Sequence, residues 1–477
     1  MPDPWDRFGA FPRRHLLKLA LASGLLPSLA TSCHPPALPP VVDEPEEDST
    51  QPNGEMGRQF AGTALHLLLN DHPWTTGLRP HLGEFEAITG MTLNLEVVPE
   101  SDYFTEMEAA LHREGSDVDV FFLPMDSTAY RLWQRDCLQP LTPFIHDPTL
   151  TARDYNLYDF PEGFRQTAMF PPGDEGAALF GIPATVEVYI LFYNQRLVNR
   201  FLDGRVPQTM VELVQAASQI NASGEAVGMV LRGVPADTII DTVTGVVLNE
   251  WGNDPTPLPF NLWFDGDWSR PRMTDPRIVA GLTTYANLMR AGPPTIKQMD
   301  WAEATDLFRA GKAAFYIDAS LFGPSFEDPV TSAIAGDVGY AGLPLGQGQS
   351  LTGHWLWGLG IPKTSPQPSA AWLFIQWATS AAMEAKIAVA TGGAPRFSSW
   401  LTPSVYTEAM DLNYALTVQT AMRTSRPTVV LHPQWNRVAM AITNAIHRIY
   451  DGEDPRIAAD QLQATALQYL AQATEVR

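Results

Sequence analysis

The chain has little that could staple, metallate or span. Two cysteines, Cys33 and Cys137, occur in 477 residues, too few for a disulfide framework. Beyond the first 32 residues no apolar run approaches the ~18 uninterrupted residues of a spanning helix. Lysine and arginine total 31 against 53 acidic residues, and no basic cluster offsets a net charge of −22, so a phosphate backbone is repelled and nucleic-acid binding is excluded. The ten histidines are scattered, with no i, i+4 pair on one helix, which gives a metal site no support; no cofactor motif is present either. H-E-x-x-H, G-x-S-x-G and G-x-x-x-x-G-K-[ST] are all missing, which removes the commonest zinc, serine and phosphate chemistries. There is no internal repeat, and none of the strand–helix repetition of a (β/α)₈ barrel.

What is present begins at the amino terminus. Pro12-Arg13-Arg14-His15-Leu16-Leu17-Lys18 leads into a short apolar segment, then Ser28-Leu29-Ala30-Thr31-Ser32-Cys33. A basic stretch, a short apolar stretch and small residues make an export signal, too short to cross a bilayer. The paired arginines resemble the twin-arginine signal. The residues before Cys33 resemble a lipoprotein cleavage site, although Ala30 stands where Leu is usual, so two readings are open: acylation at Cys33, or ordinary cleavage near Ala30. Removing residues 1–32 takes away four basic and two acidic side chains and leaves a charge near −24. So acidic a surface does not adhere to anionic lipid, and membrane attachment would come from the acyl groups. Residues 33–59, rich in proline and acid, read as an extended tether.

With 45% apolar residues the remaining chain can bury a large core in two domains or lobes. Ala64–Leu69, Thr92–Val98 and Asp119–Leu123 read as strands, separated by helical patterns over Arg79–Thr89 and Ser101–His112. Strand–helix alternation with continuous apolar strands predicts an α/β sheet covered on both faces. Ligands in such sheets sit beyond the strands' carboxyl ends, which brings the Asn70–Trp74 turn and Asp126 to one rim. A second unit starts near Phe180. It contains an aromatic-rich strand, Val186–Tyr193, amphipathic helices over Gln208–Ile220 and Asp275–Arg290, and a strand ending at Asp318. Further predicted elements are a strand over Gly339–Leu343, a helix pair over Pro368–Thr379 and Met383–Ala390, and helix from Val438 to Leu470 interrupted at Asp451-Gly452.

The order of these segments resembles the bacterial extracellular solute-binding proteins of family 1, the sugar-binding subunits of ABC importers. The resemblance is carried by Gly181-Ile182-Pro183 through Tyr193-Asn194, by Val206-Pro207-Gln208-Thr209-Met210-Val211-Glu212-Leu213 (Met210 where Trp is usual), and by Phe308-Arg309-Ala310-Gly311-Lys312-Ala313-Ala314-Phe315. Gly358-Leu359-Gly360-Ile361-Pro362, Ala371 to Trp377, and Gly392-Gly393-Ala394-Pro395-Arg396 complete it. It implies an α/β, two-lobe periplasmic-binding-protein fold of type II, with crossing strands near Pro183–Val186, Tyr340–Pro344 and Gly392–Pro395. Lobe one would comprise 60–184 and 345–393, and lobe two 185–344 and 394–477. The implied function is a non-catalytic, monomeric binding protein that captures a carbohydrate or polyol and delivers it to an ABC permease. An exported glycoside hydrolase with two carboxylates about 5 Å apart, or a receptor subunit of the same fold, are the rival readings.

A sugar or polyol presents hydroxyls on one edge and C–H groups on a face, so its site needs carboxylates, amides and aromatic rings. The candidates are Asn70, Asp71 and Trp74, with His72 beside them, then Asp126, Glu187, Tyr189, Asp318, Trp355, Trp357 and Arg396. Each has a plainer role open to it. Asp126 and Asp318 could cap the helices that follow them, and Glu187 could simply face water. Trp355 and Trp357 share a strand face, so both line the cleft or both belong to the core. Trp251, Trp263 and Trp268 fall in a Pro/Gly/Asp-rich loop, and Cys137 reads as a small buried hydrophobe.

Overall fold

A computed structural model describes residues 57–474, except 114, 237–238, 252–261, 266–268, 347–349, 402–410, 429 and 433; the side chains of 100, 101, 389, 390, 401, 473 and 474 are also not described. The expected signal, tether to residue 56, Cys33 and Trp268 lie outside the described residues. Among those described, no helix is long and apolar enough to cross a membrane, and no cluster of His, Cys, Asp or Glu could hold a metal ion.

Eleven strands occur in the described residues: β1 Ala64–Asn70, β2 Thr92–Val98, β3 Val120–Pro124, β4 Met169–Phe170, β5 Ala178–Leu179, β6 Ile182–Asn194, β7 Val227–Val230, β8 Ala313–Ala319, β9 Val338–Ala341, β10 Thr352–Gly360 and β11 Ser425–Pro427. Nine of them form one sheet in the order β2-β1-β3-β10-β6-β8-β7, with β9 also on β6 and β11 on β10; β4 and β5 pair separately. β1 runs parallel to both β2 and β3, and its central residues Leu67, Leu68 and Leu69 are buried, as a strand covered on both faces requires.

β6 is the long element that joins the two halves. Ile182 to Val188 pairs antiparallel with β10, and Tyr189 to Asn194 pairs antiparallel with β8 and β9. The change of partner falls between Val188 and Tyr189, just beyond the crossing expected at Pro183–Val186.

Local chemistry explains most boundaries. Where the sequence predicts a turn at Asn70–Trp74, a helix already starts at Pro73: His72 Nδ1 accepts a bond from Trp74 N at 3.0 Å, and Pro73 occupies the first turn, where its missing N–H costs nothing. Arg79–Thr89 is not one helix but a 3₁₀ turn, Arg79–His81, followed by Leu82–Thr89, because Pro80 interrupts the α ladder. The helix expected from Ser101 begins at Glu100, directly after Pro99. Met210–Ala222 opens with a reciprocal capping box between Thr209 and Glu212. Near the carboxyl end, Trp435–Tyr450 buries Trp435, Val438, Ala439, Ile442, Ala445, Ile446 and Ile449, a one-sided stripe at helical spacing. Gly228 brings β7 against this layer's neighbour so closely that a Cβ would stand 1.8 Å from Ala217 O.

Candidate functional site

At the middle of β6 two side chains on one face, Glu187 and Tyr189, look towards different neighbours. Glu187 is paired across the ladder with Trp355 of β10, which puts the carboxyl beside a half-buried indole. The residue is only 9% exposed, and among the described residues its carboxyl accepts no hydrogen bond; His72 Nε2 lies 3.8 Å away. Burial pushes its pKa up to about 8, against the pull of Arg232 and with the added push of Asp318. Tyr189, 1% exposed, carries the Arg232 guanidinium 5.8 Å from its ring centroid.

Arg232 is the centre of the second half of the site. β7 and β8 run parallel with Val230 opposite Tyr316, so two residues further on Arg232, just past the end of β7, stands level with Asp318 near the end of β8. The guanidinium donates to both Asp318 oxygens, Nη2 to Oδ1 at 2.7 Å and Nε to Oδ2 at 3.0 Å, and Nη1 lies 3.3 Å from Asp241 Oδ2. Asp241, on the wholly buried helix Ile240–Leu248, also accepts from Thr428 Oγ1 at 2.8 Å. Burial pushes Asp241 up to about 7, opposed by Arg232 and the Thr428 bond. One guanidinium therefore serves two carboxylates while a third, Glu187, feels the same field from a short distance. Gly353 is needed where β10 passes this group: a Cβ there would stand 2.4 Å from Thr428 Cγ2.

The other candidates fall into two sets. Asp126 caps the helix Ser127–Gln134 through Oδ1 and Thr128 N at 2.6 Å, and burial still pushes it up to about 6. The next residue, Ser127, donates to Asn436 Oδ1 at 3.4 Å, so this rim meets the helix Trp435–Tyr450. Asn70 ends β1 fully buried with neither amide atom partnered, while Asp71 is half-buried and its N–H is spent on Val98 O.

Four expectations need correction. Trp74 is fully buried and stacks on Phe122 at 5.2 Å, so its ring is core. Trp357, 2% exposed, stacks on the other side of Phe122 at 4.9 Å with the rings 3° from parallel. Trp355 touches Trp357 edge-on at 6.2 Å, so the shared face is graded: the outer ring is partly open and the inner one is not. Asp318 is fully buried, and both oxygens are held by Arg232; its carboxylate orients the guanidinium rather than meeting a solute. Arg396 belongs to a different lock. Its Nε donates to Thr379 O at 2.7 Å and Nη1 to Asn156 O at 2.6 Å, and its guanidinium covers Phe160 at 4.0 Å beside the buried Glu384. That lock keeps the segment through Trp400 with residues 155–160 and 379–384, beyond the crossing expected at Gly392–Pro395. The loop tryptophans Trp251 and Trp263 pack inward, and Cys137 is a buried free thiol.

Sequence reading missed Arg232, Asp241 and Thr428. Only Arg232 had a signal: it follows a short strand, Val227–Val230, by two residues, the same rim logic that picked out Asp318.

Comparison with known proteins agrees with this architecture. The chain is 28% identical over 335 residues to the erythritol/L-threitol-binding protein of Mycolicibacterium smegmatis, covering 68% of each chain. It is 29% identical over 331 residues to the mannitol-binding protein of Pseudomonas aeruginosa, covering 68% of this chain and 70% of that one. Among solved structures, an ABC transporter solute-binding protein from Agrobacterium radiobacter in complex with ribitol superposes with a TM-score of 0.68 at 24% identity, covering 86% of this chain and 99% of that one. The fold is thus the two-lobe, type II periplasmic-binding-protein fold. The family model for bacterial extracellular solute-binding proteins matches residues 73–385, and the chain belongs to that family.

Proposed function

We propose that this protein captures a small neutral polyol, or a carbohydrate presenting the same hydroxyl edge, and delivers it to an ABC permease. The observation that carries the reading is the pairing of Glu187 with Trp355, one hydrogen-bonding group and one aromatic face side by side, next to the buried Arg232–Asp318 pair. Tyr189, Asp126 and Asn70 supply further polar groups, with Asp71 at the margin. The relatives named for erythritol, L-threitol and mannitol support a polyol over an oligosaccharide. A retaining hydrolase needs two available carboxyl groups. Here Asp318 and Asp241 are engaged with Arg232, leaving Glu187 without a second, which favours binding over catalysis.

Residues 60–184 and 345–393 would form lobe one, and 185–344 with 394–477 lobe two. Residues 1–32 serve as a twin-arginine-like signal, Cys33 as an acylated anchor and 33–59 as a tether that lets a monomer reach its permease from the membrane's outer face. Calorimetry and thermal denaturation with erythritol, ribitol, mannitol and maltose test the ligand class. A ligand at a hundred times its Kd stabilises the fold by about 2.7 kcal/mol. A polyol that binds and is recovered chemically unchanged supports the reading; consumption of the ligand, or binding of maltose alone, overturns it.

A further inference from the structure

Glu187 stands out among the carboxyl groups of the site because nothing in the described protein answers it. Asp318 has Arg232 and the Ala319 N–H; Asp241 has Arg232 and Thr428. Glu187 has only the His72 ring at 3.8 Å, too long for a hydrogen bond, although it is itself buried. A buried carboxylate in that position is costly unless it is paired. The groups facing it decide which form persists. From β8 comes the Asp318 carboxylate, from the helix Ile240–Leu248 the Asp241 carboxyl, and from two residues past β7 the Arg232 guanidinium, already shared between those two. From β10 comes the Trp355 indole; His354, one residue before it, lies on the opposite strand face and meets Ser425 instead. Tyr189, two residues along β6, stays a neutral phenol. The surroundings hold more negative charge than positive, and Glu187 has the weakest claim on the one guanidinium.

Resting on the polyol reading above, we propose that Glu187 works as a neutral carboxylic acid, donating its proton in a hydrogen bond to a hydroxyl oxygen of the ligand, and that this residue selects neutral polyols over anionic sugar acids and sugar phosphates. An anionic ligand would meet carboxylates beside a guanidinium, that of Arg232, already engaged with Asp318 and Asp241. A polyol hydroxyl both donates and accepts, so it can take the Glu187 proton at its oxygen and give its own proton elsewhere. Because the ligand prefers the protonated form, binding draws in a proton wherever free Glu187 is ionised. Burial places that range above pH about 8.

The test is calorimetric titration of the whole exported chain with erythritol, ribitol and mannitol at pH 6 to 9.5, in paired buffers of different ionisation enthalpy. Affinity should be level to about pH 8, then fall towards tenfold per pH unit, with proton uptake approaching one per ligand at the alkaline end. Glu187→Gln, whose amide still donates but cannot ionise, should lose that slope and bind more tightly than the wild type at pH 9.5. Its melting temperature confirms that it is folded. Gluconate and sorbitol 6-phosphate should bind at least a hundredfold more weakly than the best polyol at pH 7. Affinity that is flat or rises above pH 8, or an equally steep fall in Glu187→Gln, overturns the inference while leaving the polyol reading intact. No binding of any polyol at any pH overturns both.

Discussion

Replacing Arg232 with methionine is the sharpest perturbation this site offers. The side chains have similar length, so little volume is lost, but three contacts to Asp318 and one to Asp241 vanish. Arg232 is 5% exposed and Asp318 0%, so water cannot take over. Removing one partner of a buried ion pair costs about 3–5 kcal/mol, because the other charge stays buried and unanswered. Denaturant unfolding at pH 7 should show a loss of that size. The loss should also depend on pH in a stated direction. Glu187 and Asp241 are already raised above the ordinary carboxylate range by burial, and Arg232 is the group that pulls both down. Without it, both rise further, so the folded state holds protons that the unfolded chain releases near pH 4. A raised folded pKa gives stability that is complete below the unfolded value and lost as pH climbs through the folded one. The variant should therefore be closest to the wild type near pH 5 and fall away steadily through pH 8 and above. Arg232→Met combined with Asp318→Leu should recover part of the loss, since the stranded carboxylate is gone. A single-variant loss under about 1 kcal/mol, or one that is the same at pH 5 and pH 8, would refute the argument.

The two β10 tryptophans should separate cleanly: Trp357→Ala costs about 3–5 kcal/mol of stability by opening the stack on Phe122, whereas Trp355→Ala chiefly weakens ligand binding, by about 1–2 kcal/mol, measured by denaturation and calorimetry on each. Arg396→Met strands the buried Glu384 and should lower stability by about 3–5 kcal/mol, while the ligand affinity of the folded protein stays the same, which calorimetry would show. Gly228→Ala forces a methyl towards Ala217 O, 1.8 Å from its ideal place, and overpacking there should cost at least about 1–3 kcal/mol in denaturant unfolding.

The parts of the fold that were legible in the sequence are those set by local pattern. β2 falls at Thr92–Val98 as its pattern predicts, and Pro368–Ala378 ends within a residue of its expected limit. Apolar period and capping residues suffice for those. Boundaries slipped where proline sits at a helix start, in the first turn at Pro73 and just before it at Pro99, because a proline that opens a helix and one that ends a strand look alike in isolation. The site was half legible. Glu187, Tyr189 and Trp355 come together because they lie on adjacent strands, and strand ends can be read from a sequence. Arg232 and Asp241 are brought to Asp318 by packing between segments 77 to 86 positions apart, and no local rule reports that. Arg396 shows the converse error. An arginine after a glycine-rich crossing looks available, yet three carbonyl or carboxylate partners from residues 156 to 384 had already claimed it.

The geometry of β6 explains why a solute bound here would be felt by the whole molecule. Its first seven residues are laddered to β10 and its last six to β8 and β9, so a rotation of one lobe against the other has to be absorbed where the partners change, at Val188 and Tyr189. Glu187 lies one residue before that point and Tyr189 at it, on the same face because strand side chains alternate. Thr352 Oγ1 donates to Tyr189 O and β11 pairs with Thr352, Gly353 and His354, so β10 is tied to the same point from its far side. A ligand that bridges Glu187 and the Arg232 group thus lies against the strand whose backbone is laddered to both halves of the sheet. Contacts made there bias the relative setting of the lobes directly, with no intervening loop to transmit the change.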